Sequence, residues 1–505
     1  MSGAFSALPL SARLAFAAMA GAAGALGQAP FDIPAALLIA LTVAFWLWRH
    51  DPTRPGLLGW AFGAGYFALA LSWIVEPFQV DVDRHGWMAP FALALLSGGL
   101  ALFWAAAFWA ARRVFHSPLA LVLTWTGAEL LRAYVLTGFP WAAPAQVLVE
   151  GPASILLALG GPHVATMSML GLACLLSAGG PSAQVPAFRV AFRTGQGVLL
   201  AAAVLAVSLP HARQSAGLSE HTVRIVQPNA AQHLKWRPEM ADVFFSRQLA
   251  LTGAPPASPD DAPDLVVWPE TAIPWRLEAA EPALRLIAQA ARGTPVALGA
   301  LRFEGDSLRN SLAVVAVQGE VSAIYDKHHL VPFGEYVPFG SLTSKLGLEA
   351  LAASMGGFSS GPGPALLELG ALGKALPLIC YEAVFPHGVN AMPERASFLL
   401  QVTNDAWFGT YAGPQQHLAQ ARMRAIEQGL PMVRSANTGI SAMIGPTGRI
   451  LAQISLGEEG FLDARLPLAL PPTLYSRIGD WPAILFIALG YAGCFFQTWR
   501  EPRAR

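Results

Sequence analysis

Apolar and polar positions divide this chain into two kinds of segment. Long apolar runs fill residues 1–209 and return at 481–499, whereas 210–480 alternates short apolar stretches with polar ones. A helix needs roughly 20 apolar residues to cross the hydrocarbon core of a bilayer. Eight runs qualify as spans: about 9–27, 31–48, 56–76, 88–111, 117–136, 155–179, 194–210 and 481–499. The first reads as a retained helix, since no small-residue cleavage site leads into a polar start. In the middle segment, strands are predicted at Thr222–Val226, Leu265–Trp268, Pro295–Leu301, Ala375–Ile379, Phe398–Thr403, Met432–Ala436, Ser441–Ile444 and Arg449–Ile454. Ser311–Val317 and Val321–Tyr325 flank Gln318-Gly-Glu320, a hairpin signal. Gln415–Gln428 carries apolar residues at helical spacing and stops at Gly429. Strands interleaved with helical stretches predict an α/β domain with mixed sheets.

Composition sharpens this picture. Of 505 residues, 54% are hydrophobic and only 13% charged, about half the charged share of an ordinary soluble domain. The organisation expected is a seven-helix membrane bundle over 1–210, an extramembrane domain over 211–480, and a terminal helix with a short tail over 481–505. Basic residues in short loops set orientation. With the N-terminus inside, Arg13, Arg49, Arg54, Arg112, Arg113, Arg189, Arg193, Arg500, Arg503 and Arg505 all fall on the cytoplasmic side. The opposite loops offer mainly Arg84, beside Glu76, Asp81 and Asp83. Both termini are therefore expected in the cytoplasm and the middle domain on the outer side, the periplasm of a bacterium. Net charge is zero and no basic stripe appears, which argues against a nucleic-acid partner.

The candidate chemistry lies in the middle domain. Of three cysteines, Cys174 and Cys494 fall within predicted spans, so Cys380 alone could serve outside the membrane. It ends an apolar run in Leu-Ile-Cys-Tyr-Glu, at a predicted strand end, where α/β folds tend to place their sites. Glu270 ends Val-Val-Trp-Pro-Glu in the same manner, and Lys327 opens Lys-His-His-Leu-Val-Pro-Phe-Gly-Glu-Tyr-Val-Pro. A thiol needs a base or a cation beside it to attack well. Glu270 can supply the base, and Lys327 can favour a thiolate and then an oxyanion. Each residue alone has a plain structural reading, and spacing alone does not bring the three together. His328 and His329 lack a third ligand at zinc spacing, so no metal is expected. In the fifth predicted span, Trp125, Glu129 and Arg132 share one helical face; an ion pair and a functional site are both open readings.

Several phrases together carry a resemblance: Thr137-Gly-Phe-Pro-Trp141, Gln227-Pro-Asn229, Lys235-Trp236, Trp268-Pro-Glu270, Lys327 to Pro338, Cys380-Tyr-Glu382 and Thr403-Asn-Asp-Ala-Trp-Phe408. They resemble the apolipoprotein N-acyltransferase family, membrane-bound members of the nitrilase, or carbon-nitrogen hydrolase, superfamily. The resemblance covers essentially the whole chain. It implies an α-β-β-α sandwich on the membrane bundle, with Glu270, Lys327 and Cys380 as a catalytic triad and no cofactor. It implies transfer of an acyl chain from a phospholipid to the N-terminal amine of a diacylated apolipoprotein through a thioester, the last step of lipoprotein maturation, at the bacterial inner membrane. It also gives supporting roles to Glu335, Tyr381, Glu382 and Trp236.

Other readings remain: a membrane-tethered amidase, an inert lipid-binding or assembly factor, and a transporter. Retention of all three reactive residues weighs against an inert scaffold. The lack of a detectable internal repeat weighs against a transporter. The glycine-rich stretch 356–363 is a candidate lid.

Overall fold

The computed structural model describes residues 5–115, 117–177, 216–256, 258, 262–338 and 357–500. The predicted span at 194–210 lies outside the described residues. Two compact units emerge. One holds residues 5–177 with Tyr411–Ala419 and the stretch from Thr473; the other holds 216–410 and Gln420–Pro472.

The first unit is helical: α1 (Leu10–Ala25), α2 (Pro34–His50), α3 (Pro55–Ala70), α4 (Ala89–Ala110), α5 (Pro118–Tyr134), α6 (Ile155–Leu176) and the terminal helix Trp481–Arg500. Among the described residues, two helical stretches, Val82–Val114 and Pro152–Leu176, are each long and apolar enough to cross a membrane alone. The run expected as one span over 56–76 breaks instead: α3 gives way at Leu71 to a 3-10 helix, Ser72–Gln79, bent by 48°. Pro77 lies in that second piece and disfavours α geometry in the residue before it. Small residues let the helices approach closely. A Cβ on Gly21 would stand 1.9 Å from the Phe62 carbonyl oxygen, and one on Gly65 2.0 Å from that of Ala18.

The polar residues of α5 form an ion pair, Arg132 Nη2 to Glu129 Oε2 at 2.5 Å, both buried. Trp104 Nε1 donates to Glu129 at 2.7 Å, and Arg132 donates to the carbonyls of Phe139 and Trp141. The Thr137–Trp141 phrase is thus strapped to α5 by one guanidinium. Trp141 Nε1 in turn donates to Gln416 Oε1 at 2.8 Å, and Gln416 Nε2 donates to the carbonyls of Ala29 and Ala70.

The second unit contains two six-stranded sheets. The first runs β12-β1-β2-β3-β4-β5 and the second β11-β10-β9-β8-β7-β6. The strands of the first sheet are β1 (Leu218–Gln227), β2 (Leu265–Val267), β3 (Val296–Glu304), β4 (Ser307–Val315), β5 (Val321–Asp326) and the late-returning β12 (Gly460–Pro467). Those of the second are β6 (Leu367–Glu368), β7 (Lys374–Ile379), β8 (Phe398–Val402), β9 (Met432–Ser435), β10 (Ser441–Ile444) and β11 (Ile450–Ile454). β1, β2 and β3 run parallel, as do β7, β8 and β9. Of these, β2 and most of β7 and β8 read as apolar runs because both their faces are covered, whereas β1 and β9 carry the buried Arg224 and Arg434. The hairpin predicted at Gln318–Glu320 is present, with Gly319 at φ +93°.

One core lies between the sheets, where Ile225, Val267, Ala297, Leu312 and Val314 meet Ile379, Leu400, Val402, Val433 and Met443. Each large aliphatic side chain buried this way contributes roughly 1.5–3 kcal/mol. The outer face of the first sheet is covered by α7 (Pro238–Gly253) and α8 (Glu281–Ala291), through Phe245, Leu284 and Ile287 against Val266, Trp268, Leu298 and Val315. α9 (Gly413–Gln428) is the crossover between the parallel strands β8 and β9. The layering is α-β-β-α, with strand ends of both sheets converging on the site described next.

Candidate active site

Glu270, Lys327 and Cys380 each follow a strand. β2 ends at Val267 and delivers Trp268-Pro-Glu270; β5 ends at Asp326 and delivers Lys327; β7 ends at Ile379 and delivers Cys380. Cys380 adopts φ +51°, a left-handed backbone that costs about 1–3 kcal/mol in a residue with a Cβ. It opens a short 3-10 turn, Cys380–Val384, which turns the chain away from the sheet. All three side chains are buried.

Glu270 is fixed at both oxygens. Asn310 Nδ2 donates to Oε1 at 2.7 Å, and the backbone N–H of Asn404 donates to Oε2 at 2.9 Å. The backbone around it is locked as well. Thr271 takes φ +46°, and Lys235 Nζ donates to the Glu270 carbonyl at 3.1 Å and to Thr271 Oγ1 at 3.0 Å. Gly299 is required beneath this turn, because a Cβ there would stand 2.5 Å from Glu270 Cα. Burial depresses the Lys235 ammonium to about 8, against the pull of Glu270.

Lys327 Nζ pairs with Glu335 at 2.9 Å and lies 3.9 Å from Glu270 Oε1. Asn310 Nδ2 reaches Glu335 Oε1 at 3.1 Å, so one carboxamide spans both carboxylates. Burial alone would lower the Lys327 pKa, yet Glu335, Glu270 and Cys380 together hold it above its ordinary value. The ammonium is therefore charged throughout the neutral range. Burial, followed by the Glu270 charge, pushes the Cys380 thiol up despite the opposing pull of Lys327 and Thr403. This upward shift favours the protonated thiol over the thiolate.

Glu382 lies two residues beyond the thiol and is buried. It accepts from the backbone N–H of Ile379 at 2.7 Å, that of His328 at 2.8 Å and the Tyr325 hydroxyl at 2.9 Å, with His328 Nδ1 at 2.6 Å. One carboxylate thus ties the turn of Cys380 to the loop of Lys327. Burial would raise its pKa, and the His328 contact and backbone donors instead hold it below the ordinary carboxylate value. Tyr381 packs edge-on against Phe385 and His329. Trp236 is about half-exposed, with Lys235 Nζ 5.1 Å from its ring centre. Phe333 and Trp407 are also exposed. Each of these three aromatics stands one to three residues from a group that holds the site: Lys235, Glu335 and Asn404 respectively.

The part of the glycine-rich stretch within the described residues, 357–363, is hydrogen-bonded to the same loops. Phe358 N–H donates to the Glu335 carbonyl at 3.1 Å, and Gly361 N–H to that of Lys327 at 2.8 Å. Gly361 is needed there, because a Cβ would meet the Asp326 carbonyl oxygen at 2.3 Å. Among the described residues no group of three His, Cys, Asp or Glu could hold a metal.

The sequence pattern does not point to Asn310, and the phrases that contain Lys235 and Thr403–Asp405 assign those residues no role. Asn310 had only a weak signal, a polar residue beside a hairpin strand.

Residues 20–175 match the family description "Apolipoprotein N-acyltransferase N-terminal domain", and residues 222–471 match "Carbon-nitrogen hydrolase". Among similar proteins, the apolipoprotein N-acyltransferase of Bradyrhizobium diazoefficiens is 39% identical over 94% of this chain and 93% of its own. That of Rhodopseudomonas palustris is 37% identical, covering 94% of each chain. Among solved structures, an amidase from Nesterenkonia sp. AN1 aligns at 20% identity and TM-score 0.37, covering 54% of this chain and 97% of its own.

Proposed function

The chain belongs to the apolipoprotein N-acyltransferase family, and from that premise we propose a two-step acyl transfer through Cys380, from a phospholipid to the α-amino group of a diacylglyceryl-cysteine at a lipoprotein N-terminus. In the first step Glu270 takes the thiol proton as Cys380 Sγ attacks the ester carbonyl. The oxyanion forms beside the Lys327 ammonium, which Glu335 keeps charged and in place. Collapse breaks the ester C–O bond, and the leaving lysophospholipid oxygen receives the proton from Glu270. In the second step the lipoprotein amine attacks the thioester and gives its proton to Glu270. The amide forms, the thiolate leaves, and it recovers the proton. Two chemically matched half-reactions on one nucleophile give ping-pong kinetics.

The observation that carries this reading is a buried Cys380 with a left-handed backbone just past the end of β7, together with buried Glu270 and Lys327, 3.9 Å apart, just past the ends of β2 and β5. A buried donor beside a developing oxyanion contributes about 2.7–4 kcal/mol to the transition state. Burial of all three groups also keeps water from the thioester. Glu335 positions Lys327, and Glu382 positions the nucleophile turn. Tyr381 packs the wall behind the nucleophile. Trp236, with Phe333 and Trp407, offers exposed aromatic surface suited to lipid chains.

The loop arginines support placement of the catalytic unit on the periplasmic side of the inner membrane, with both termini cytoplasmic and a bundle over 1–210. The test of function is product identity. The purified protein, given a defined phospholipid and a synthetic diacylated lipopeptide, should yield the lipopeptide with one acyl group on its amine. Free fatty acid as the sole product would make the protein a lipid hydrolase instead.

A further inference from the structure

The Thr403-Asn404-Asp405 segment touches both Cys380 and Glu270. Ile379 and Val402 are register partners in the parallel pair β7–β8, so Cys380 and Thr403, the next residue of each strand, leave the sheet side by side. The Thr403 hydroxyl hydrogen-bonds the Cys380 side chain and also donates to Asp405 Oδ1 at 3.0 Å. Asn404 N–H holds Glu270. Asp405 Oδ2 pairs with Arg434 Nη2 at 2.5 Å, both wholly buried. Arg434 Nη1 also donates to Gln401 Oε1 at 2.5 Å, and Gln401 Nε2 to the Cys380 carbonyl at 3.4 Å. These contacts close a ring that begins and ends at Cys380. Gly439 makes room for it, since a Cβ there would lie 2.5 Å from Asp405 Oδ2.

A hydroxyl has one proton to donate and two lone pairs to accept with. While Thr403 donates to Asp405, it can only accept from the Cys380 S–H. Once that proton moves to Glu270, the sulfur becomes an acceptor and the same hydroxyl can serve it. We propose that Thr403 is a further catalytic residue, whose hydroxyl turns from Asp405 to Cys380 Sγ as the thiol loses its proton. The Thr403 proton stays on its oxygen throughout; only its hydrogen bond changes partner. Asp405 keeps its Arg434 partner through the turn, so no buried carboxylate is stranded. The other charged groups acting on the thiol, Glu270 and Lys327, are those of the proposed mechanism. The hydroxyl turns to sulfur again when the thioester collapses and the thiolate leaves, so it assists both half-reactions. This rests on Cys380 being the nucleophile.

The test is alkylation of Cys380 by iodoacetamide in the purified full-length protein, followed by mass spectrometry of the Cys380 peptide across pH. Thr403→Val, nearly isosteric, should alkylate about tenfold or more slowly at pH 8, with its pH profile moved upward; Thr403→Ser should stay within about threefold of the native chain. Acylation by phospholipid should fall in the same order. A Thr403→Val protein that keeps its thermal melt and alkylates at the native rate overturns the proposal. So does a Thr403→Ser protein as slow as Thr403→Val, which would mark a packing role. Thr403→Ala repeats the test if Thr403→Val does not fold. Alkylation needs no lipid. If it follows the hydroxyl while no acyl adduct forms from phospholipid, the thiolate role stands and the acyl-transfer reading falls.

Discussion

Lys327 Nζ lies 2.9 Å from Glu335 but 3.9 Å from Glu270, so its direct partner is not the carboxylate proposed as base. The loop is closed around that partner: Val331 N–H donates to Glu335 Oε2 at 2.8 Å, and Glu335 N–H returns to the Val331 carbonyl at 2.9 Å. Glu335→Gln should keep the fold and slow acyl-enzyme formation by roughly 10–100-fold, because the ammonium loses its anchor near the oxyanion. Single-turnover acylation measures this; a native rate would remove Glu335 from the machinery.

Asn310 offers a sharper contrast. Its Nδ2 serves Glu270 and Glu335 together. Asn310→Asp replaces that donor with a third acid between two carboxylates, whereas Asn310→Ala only deletes it. The nearly isosteric variant should therefore be the worse one, down about 100-fold or more in acylation. Equal losses in the two variants would contradict the bridging role.

Gly299→Ala tests the floor beneath the base. The added methyl meets Glu270 Cα and Thr271 N at 2.5 Å each. Overpacking of this kind costs about 1–3 kcal/mol in stability. Displacement of Glu270 should lower the acylation rate at temperatures where the variant remains folded.

These contacts show what was legible in the residues and what was not. Glu270 and Cys380 stand out because each comes just after an apolar strand run, Lys327 because it opens the distinctive Lys327–Pro338 phrase, and the strands predicted at Ser441–Ile444 and Phe398–Thr403 match β10 and β8 closely. Asn310 was hidden because its meaning depends on the register of β4 beside β5, which no local pattern specifies. β12 was missed for a related reason. Asp463 and Arg465 interrupt its apolar positions, and its support is the distant β1, where Arg224 pairs with Asp463 at 2.7 Å. The bend at Leu71 was invisible to hydropathy, which sees only a continuous apolar run.

Glu382 makes stability depend on pH. Its carboxyl is held below 4.5 in the folded state, so the folded protein releases this proton more readily than the unfolded chain. Its contribution is complete above pH 4.5 and is lost as pH falls through the lowered folded value. Glu382→Gln should melt lower than the native chain at pH 7, by about 1–3 kcal/mol. The gap should narrow below pH 4.5. A gap independent of pH would contradict the ionised, multiply hydrogen-bonded carboxylate.

In the helical unit, Glu129→Ala leaves Arg132 buried without its counter-charge. Such a change costs about 3–5 kcal/mol, and the purified protein should show a correspondingly lower melt. Replacing Glu129 and Arg132 together with Gln and Met should recover much of the loss. Failure of that recovery would favour a functional role for the pair.

The central claim is a thioester on Cys380. The most direct test is the intact mass of the purified protein after incubation with a phospholipid of one defined acyl chain, with Cys380→Ala in parallel. An added acyl mass is expected on the native chain only, released by neutral hydroxylamine and lost when diacylated lipopeptide is added. A folded native protein that gains no acyl mass from accessible phospholipid, or a Cys380→Ala protein that gains the same mass, would contradict it.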